Sequence, residues 1–290
     1  MIGALFALGG ALSWGASQVV MKAGATHCSA MRFCLIRSLA GLLCIGVLAA
    51  FSSGFALPDA DLILWAIAAG ALDLFIGSLL FILALQRIQA HEAAPLANSA
   101  PLWGVLGAWT ILGEPFSRNV LLAALLVILG AYFLASRKSR RTSGASLTGF
   151  ALALATGVSW GIAETILAKH CLSSGMDPVL FHLVMLTTAT VLFAVGYVVL
   201  RGMGKTLLMT RRSTMVALIT GFFGYFLGWI LWLRGVELSP ASVVAPLRGA
   251  TILFAFLGGV VFLRERPTAR AVIGLGSILV AMVLVLVSMG

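Results

Sequence analysis

PASVVAPLRGATILFAFLGGVVFLRERP, residues Pro240 to Pro267, decides how the rest of the chain is read. As a helix it is long enough to cross a bilayer, whose hydrocarbon core of about 30 Å takes roughly 20 apolar residues. It carries Pro246 and Arg248 in its first third and ends on the charged turn Arg264-Glu265-Arg266-Pro267. The same grammar occurs earlier, in PLANSAPLWGVLGAWTILGEP from Pro95 to Pro115. At a separation of 151 residues, Pro95 matches Pro246, Leu96 matches Leu247, Gly107 matches Gly258 and Glu114 matches Glu265. One helix design is used twice.

The composition places both copies in a membrane. Of the 290 residues 61% are hydrophobic and only 10% charged, against about 25% charged in a soluble domain. The net charge of +10 is spread over short clusters between apolar runs, where basic residues set orientation, so nucleic acid is not an expected partner. Cys28, Cys34, Cys44 and Cys171 have no CxxC spacing and read as small packing residues. The chain opens directly into an apolar run, and a removable signal peptide is not expected.

Ten segments approach membrane length: 2–21, 33–51, 62–84, 94–112, 119–135, 147–168, 179–200, 214–233, 242–263 and 270–289. The longest polar connection, 136–146, holds Arg137, Lys138, Arg140 and Arg141 and divides the chain into repeats at 1–135 and 147–290. The halves echo each other again in Ser13-Trp14-Gly15 and Ser159-Trp160-Gly161, followed four residues after Trp by Gln18 and Glu164. Each repeat holds an odd number of crossings, so the second enters the membrane from the opposite side. The expected fold is therefore an all-α polytopic membrane protein of ten transmembrane helices, built as two inverted five-helix repeats, an arrangement that gives transporters two related gated states.

Fifteen of the 19 Lys and Arg residues flank the connections after helices one, three, five, seven and nine. Counted as cytoplasmic signals, they put both termini outside.

The Trp-Gly pair early in each half (Trp14-Gly15, Trp160-Gly161), together with Pro95 to Pro115 and Pro246 to Pro267, resembles the EamA-type members of the drug/metabolite transporter superfamily. The resemblance covers essentially the whole chain. It implies a cavity lined mainly by helices one to four and six to nine, with five and ten peripheral. It also implies transport of small polar metabolites, often outward, such as amino acids and relatives. It implies both termini in the cytoplasm, opposite to the charge count, and both orientations stand at this stage.

Ionisable groups inside hydrocarbon are costly and mark cavities or partners. Asp73, about eleven residues into helix three and thus about 16 Å deep, is the most central charge. It reads as a cavity carboxyl, or as one kept protonated or hydrogen-bonded to a neighbouring helix. Arg248 and Glu164 lie about 8 to 9 Å inside one face by the helical rise, where they pair, jointly bind a zwitterion, or snorkel to the interface. In a cavity, Arg248 would hold a carboxylate with its planar fork and Glu164 would receive an amino group or a proton. His182, about three residues into helix seven, is expected at the interface.

Gln18 and Ala97 with Asn98 stand where Glu164 and Arg248 stand in the other half; Gln18 and Asn98 either line the opposite half of the cavity or bond between helices. Trp14 and Trp160 are expected in the cavity wall, and Trp103, Trp229 and Tyr225 in packing. The Gly224-x-x-x-Gly228 spacing permits close helix approach or sliding. Pro95, Pro101 and Pro246 are expected to break backbone bonds inside helices four and nine. Glu114 and Glu265 read as solvated caps or turns, with an inter-loop gate as the alternative.

The leading function is a secondary transporter moving a small polar metabolite by alternating access, with protons as a candidate coupling ion and membrane lipid as surroundings. The expected location is a bacterial inner membrane, and no particular oligomeric state is implied. No Walker sequence is present, and neither cofactor nor metal is expected. A proton-coupled multidrug or organic-cation exporter is the nearest alternative. A membrane-embedded enzyme is the alternative of another class; there is no HExxH or GxSxG, and the acids and histidines are scattered.

Overall fold

A computed structural model describes residues 2–22, 28–52, 58–85, 87, 96–115, 117–135, 147–205, 208–263 and 269–287. Pro95, Glu265 and the 136–146 connection lie outside the described residues. All regular structure within them is helical. We label α1 Ile2–Lys22, α2 Ala30–Phe51, α3 the run Ala60–Ala69, Gly70–Gly77 and Ser78–Leu85, α4 Ala100–Thr110 and α5 Arg118–Ala135. Then come α6 Leu147–Ser173, α7 Pro178–Gly202, α8 Arg211–Leu238, α9 in two pieces, Ala241–Leu247 and Ala250–Leu263, and α10 Ala269–Val287. Among the described residues seven runs, in α1, α2, α3, α6, α7, α8 and α9, are long and apolar enough to cross a membrane, and α5 and α10 contain shorter apolar helices.

Helices six and eight extend beyond the expected 147–168 and 214–233. Their added turns hold Lys169 and His170 in α6 and Arg211, Arg212 and Arg234 in α8. Hydropathy registers the thickness of the apolar layer, whereas the helix continues into the polar interface beyond it. Helix two likewise starts earlier than position 33, at Ala30. Helix seven begins where Asp177 Oδ1 accepts the Val179 and Leu180 amides at 2.7 and 3.2 Å, with Pro178 in the first turn.

Small residues set how closely the helices meet. Gly3, Ala7 and Gly10 of α1 lie against Gly228, Trp232 and Gly235 of α8 with backbone nearly touching backbone. Such contacts are the membrane substitute for a hydrophobic drive between helices. Large apolar side chains point outward, Phe51 and Phe262 being 86% and 79% exposed, as a lipid-facing surface requires.

Three helices depart from α geometry. Gly70–Gly77 in α3, Ile162–Leu167 in α6 and Gly221–Leu227 in α8 are π-helical. A π turn withdraws main-chain carbonyls from the ordinary ladder, and in hydrocarbon each needs another donor. Side chains of neighbouring helices supply them. Ser13 Oγ donates to the Phe223 carbonyl (2.7 Å) and Trp14 Nε1 to that of Gly224 (2.9 Å). Ser159 Oγ donates to Leu72, and Trp232 Nε1 to Glu164 at 2.8 Å. His182 Nε2 sits 2.7 Å from the Tyr225 carbonyl, which can only accept, so that nitrogen carries the proton.

The Ser-Trp pairs of the two halves thus make related contacts, α1 on α8 and α6 on α3. A Cβ added at Gly228 would lie 2.6 Å from Trp14 Nε1, and one at Gly77 would lie 2.6 Å from Trp160 Nε1. Gly228 is a seat for an indole. Gly228→Val should displace Trp14 and lower stability by about 1–3 kcal/mol, the usual cost of overpacking; thermal unfolding in detergent checks it, and an unchanged midpoint would show that the seat has slack.

Candidate functional site

The three π segments converge on one cavity of about 110 Å³. Each of them presents cavity residues: Asp73 and Leu74 from α3, Glu164 from α6, Gly224 and Tyr225 from α8. The wall is completed by Trp14, Ser17, Gln18 and Met21 of α1, Phe33, Cys34 and Arg37 of α2, Ser78, Phe81 and Ile82 of α3, Trp160 of α6, Trp229 of α8, and Arg248 and Thr251 of α9. Among the described residues, helices α4, α5, α7 and α10 contribute none to the lining. The expected participation of helices four and seven is corrected to a supporting layer: Asn98, just before α4, touches Arg248, and α7 holds His182 behind the wall.

Arg248 enters the cavity at a break in α9. Pro246 lacks an amide hydrogen, and the chain passes through tightened turns in which Arg248 N bonds Ala245 O, Gly249 N bonds Pro246 O and Thr251 N bonds Arg248 O at 3.0–3.2 Å. The guanidinium lies 5.7 Å from the Trp14 ring and 5.0 Å from the Trp160 ring. The two tryptophans singled out in the sequence, one from each half, thus flank it.

Its fork is occupied. Arg248 Nε and Nη2 both donate to the Glu164 carboxylate, the latter at 2.8 Å, and Nη1 reaches Asn98 Oδ1 at a long 3.5 Å. Both partners are buried, 7% and 3% exposed. Snorkelling to the interface is therefore corrected: Glu164 lies nine residues from the end of α6, about 13 Å in by the helical rise, and its charge is neutralised sideways.

Asp73 is buried beside Glu164, and its Oδ2 has no hydrogen-bond partner among the described residues. Gln18 lines the same cavity. His182 is corrected most clearly. It is fully buried, its ring stacks on Trp229 at 5.9 Å, and it supports the wall from outside. It sits so deep because the Tyr225 carbonyl needs a donor there. Pro101 is also corrected: it occupies the first turn of α4, where the missing amide breaks no bond. Pro246 does interrupt its helix, and Gly224 is a close-approach position, pressed against Ser17 Oγ and the Arg37 guanidinium.

Arg37 is the residue that sequence reasoning missed. With helix two read as 33–51, Arg37 falls among the fifteen basic residues that flank the connections. With α2 starting after Ser29, it lies two turns inside, and Ser29 as a helix-starting residue type was the signal that could have found it. Its guanidinium lies 3.9 Å over the Tyr225 ring, with Nε 3.3 Å from the Thr220 carbonyl and Nη2 3.4 Å from Ser17 Oγ. Tyr225 Oη in turn shares a hydrogen bond with Ser78 Oγ at 3.0 Å, tying α8 to α3.

From mid-bundle the lining extends through Met21, Phe33 and Arg37 toward the face where α1 ends and α2 begins. On the other face, where α1 begins, the helices are tied together. Glu114 accepts the Ala241 and Ser242 amides at 2.7 and 2.8 Å, so it caps the start of α9 and not its own loop. Lys169 Nζ donates to the Val236 and Ser239 carbonyls at 2.9 and 2.8 Å, closing the end of α8.

A bundle with membrane-length apolar helices, lipid-facing side chains outside and a charged chamber within is an integral, polytopic membrane protein. The chain belongs to the EamA-like transporter family, whose model matches residues 1–136 and 147–287. It is thus a membrane transporter of the drug/metabolite transporter superfamily. A protein of Archaeoglobus fulgidus described as an uncharacterized transporter is 25% identical over 287 residues, covering 99% of this chain and 98% of that protein. A solved crystal structure shares the fold, with a TM-score of 0.80 at 16% identity over 97% of this chain and 95% of the other. These likenesses point to a transporter and not to an enzyme.

Removing one member of a buried ion pair leaves the other charge uncompensated. Glu164→Gln should therefore cost about 3–5 kcal/mol, and Glu164→Gln with Arg248→Met should recover part of it. A double-mutant cycle on thermal unfolding in detergent measures this coupling; additive losses would mean that the pair contributes nothing.

Proposed function

We propose that the chain is a secondary transporter that carries a small polar metabolite, of amino-acid size and character, by alternating access between two inverted five-helix repeats. The observation that carries this reading is the mid-bundle cavity, in which both halves supply charged and aromatic side chains around one shared space. The related Ser-Trp contacts, α1 on α8 and α6 on α3, support the two-fold arrangement. In this reading the repeats are 1–135 and 147–290, joined by the basic connection 136–146.

The substrate occupies the chamber bounded by Asp73, Glu164, Arg248, Gln18, Trp14 and Trp160, with Asn98 acting through Arg248. Asp73 and Glu164 are the groups able to exchange a proton during the cycle. The break at Pro246 lets the first turns of α9 move separately from the rest, and the Gly224 and Gly228 contacts let α8 slide against α1. On the basic-residue count the face where α1 ends and α2 begins is cytoplasmic, in a bacterial inner membrane. The aromatic walls also suit an organic cation, but two arginines in the same chamber oppose that alternative.

The test is uptake and counterflow in proteoliposomes with amino acids, organic acids, amines, sugars and nucleosides. Saturable movement of an unmodified solute supports the reading; chemical conversion by the wild type, lost on mutating Asp73 or Glu164, would replace it with an enzyme. The closed face gives a second expectation. Glu114→Ala removes the acceptor of two amides at the start of α9 and should favour the alternate state. A cysteine placed at Ser239 in a cysteine-free background should then react faster with a membrane-impermeant maleimide, and an unchanged rate would remove Glu114 from the gate.

A further inference from the structure

The acids and bases that line the cavity are Arg37, Asp73, Glu164 and Arg248, and three of them form one hydrogen-bonded row. Arg248 gives two N–H groups to the Glu164 carboxylate, and Asp73 is hydrogen-bonded to Glu164. A carboxylate only accepts, so two carboxyl groups share a hydrogen bond only when one of them carries a proton. Glu164 answers the guanidinium, so the proton belongs to Asp73. The row then sums to zero.

Arg37 is left as the unbalanced charge. Its Nε and Nη2 make long hydrogen bonds to the Thr220 carbonyl and to Ser17 Oγ, 3.3 and 3.4 Å, and its guanidinium covers the Tyr225 ring. Among the described residues no carboxylate lies within ion-pair distance of it. Cys34 and Tyr225, the other titratable groups of the lining, are uncharged at neutral pH. With its proton in place the chamber carries one net positive charge, and a charge away from water is costly until it is answered.

We propose that Arg37 anchors a small monovalent organic anion, a monocarboxylate, and that the anion is held only while the Asp73–Glu164 pair keeps its proton. As a substrate site it rests on the transporter reading above, and it narrows the solute to an anion with the proton as its companion. The charge count decides between solute classes. An anion brings the protonated chamber to zero. A cation would raise its charge to two, and a zwitterion or a neutral solute would leave the excess in place. A carboxylate suits the guanidinium because its two oxygens match two N–H groups. The cavity of about 110 Å³ has room for several waters' worth of solute.

Loss of the Asp73 proton removes the excess. Asp73 becomes a carboxylate in the field of Arg248 and Arg37, the chamber is neutral without a solute, and an anion there meets a like charge. The remaining groups around this turn leave the count unchanged: Tyr225 of α8 is tied to Ser78, and His182 of α7 is turned to the Tyr225 carbonyl. Anion and proton therefore enter and leave together, and the two cross without moving net charge.

Isovalerate and propionate, each set against its uncharged amide, test the site in the purified protein. Calorimetric titration gives affinities, and repeating it in buffers of different ionisation heat counts the protons taken up. The wild type should bind each anion about tenfold or more tighter than its amide, because charge-assisted hydrogen bonds are the stronger kind. Affinity for isovalerate should fall from about pH 6 to about pH 9, approaching tenfold per unit, with about one proton taken up per anion once the free protein has lost its own. Asp73→Asn keeps a donor for Glu164 but has no proton to lose. It should bind isovalerate more tightly than the wild type at the alkaline end, with no proton uptake. Arg37→Gln should bring anion and amide to equal affinity, and Arg37→Lys should keep part of the difference. These ratios are taken within one variant, so a general loss of stability does not imitate them. Amides bound as tightly as anions by the wild type, L-valine bound more tightly than isovalerate, or an isovalerate affinity that ignores pH overturns the assignment. Counterflow in proteoliposomes separates it from the transporter reading. A wild type that moves another class of solute, and does so equally well with Arg37→Gln, removes the anion site alone; anion binding with the expected ratios but no movement of any solute keeps the site and removes the transporter.

Discussion

Main-chain carbonyls released by π turns are the constraint around which this bundle is arranged. In water such groups would be solvated, but at mid-bundle each must be met by a donor from another helix. Ser13, Trp14, Ser159, Trp232 and His182 are those donors. Their hydrogen bonds fix which helices touch and at what height. The same turns present Asp73, Glu164 and Tyr225 to the cavity, so the interactions that hold the helices together also place the functional side chains.

The contacts are nearly two-fold, whereas the chemistry is not. Arg248 stands at the break in α9, and the corresponding break before α4 carries Ala97 and Asn98. Asn98 leans on Arg248 itself, so the neutral counterpart props the charged one and offers no second anchor. In the other direction, Arg37 in the first half has no role in the sequence echoes at all. The chamber therefore holds unlike arginines: Arg248 is paired with Glu164, whereas Arg37 is held by a carbonyl, a hydroxyl and the Tyr225 ring.

Much of the fold was legible because it depends on properties a sequence displays directly. Apolar run length gave the helices, the 151-residue echo tied Pro95–Pro115 to Pro240–Pro267, and the Trp-Gly pairs marked the indoles that flank Arg248. Counting helical rise put Glu164 and Arg248 at one level, with pairing as one of three readings beside joint binding of a zwitterion and snorkelling. What stayed hidden depends on backbone departures and helix ends. No pattern announces a π turn, so the deep placement of His182, which serves a released carbonyl, read as interfacial. A three-residue difference at the start of α2 leaves Arg37 read as a charge flanking a connection. Pro101 read as a helix breaker because its place in a first turn depends on where the preceding break falls.

The cap that Glu114 places on α9 has a further consequence. The first turn of that helix is held by the α4–α5 connection, and Arg248 lies on the same helix seven residues on, about 10 Å along the axis. Outer latch and inner strut are therefore two ends of one short rod, with Pro246 as a loosened joint between them. Releasing the latch exposes two amides that water can replace at the interface, while the strut must keep Glu164 at a depth where water is scarce. Displacement of this rod therefore costs less at the rim than at the centre.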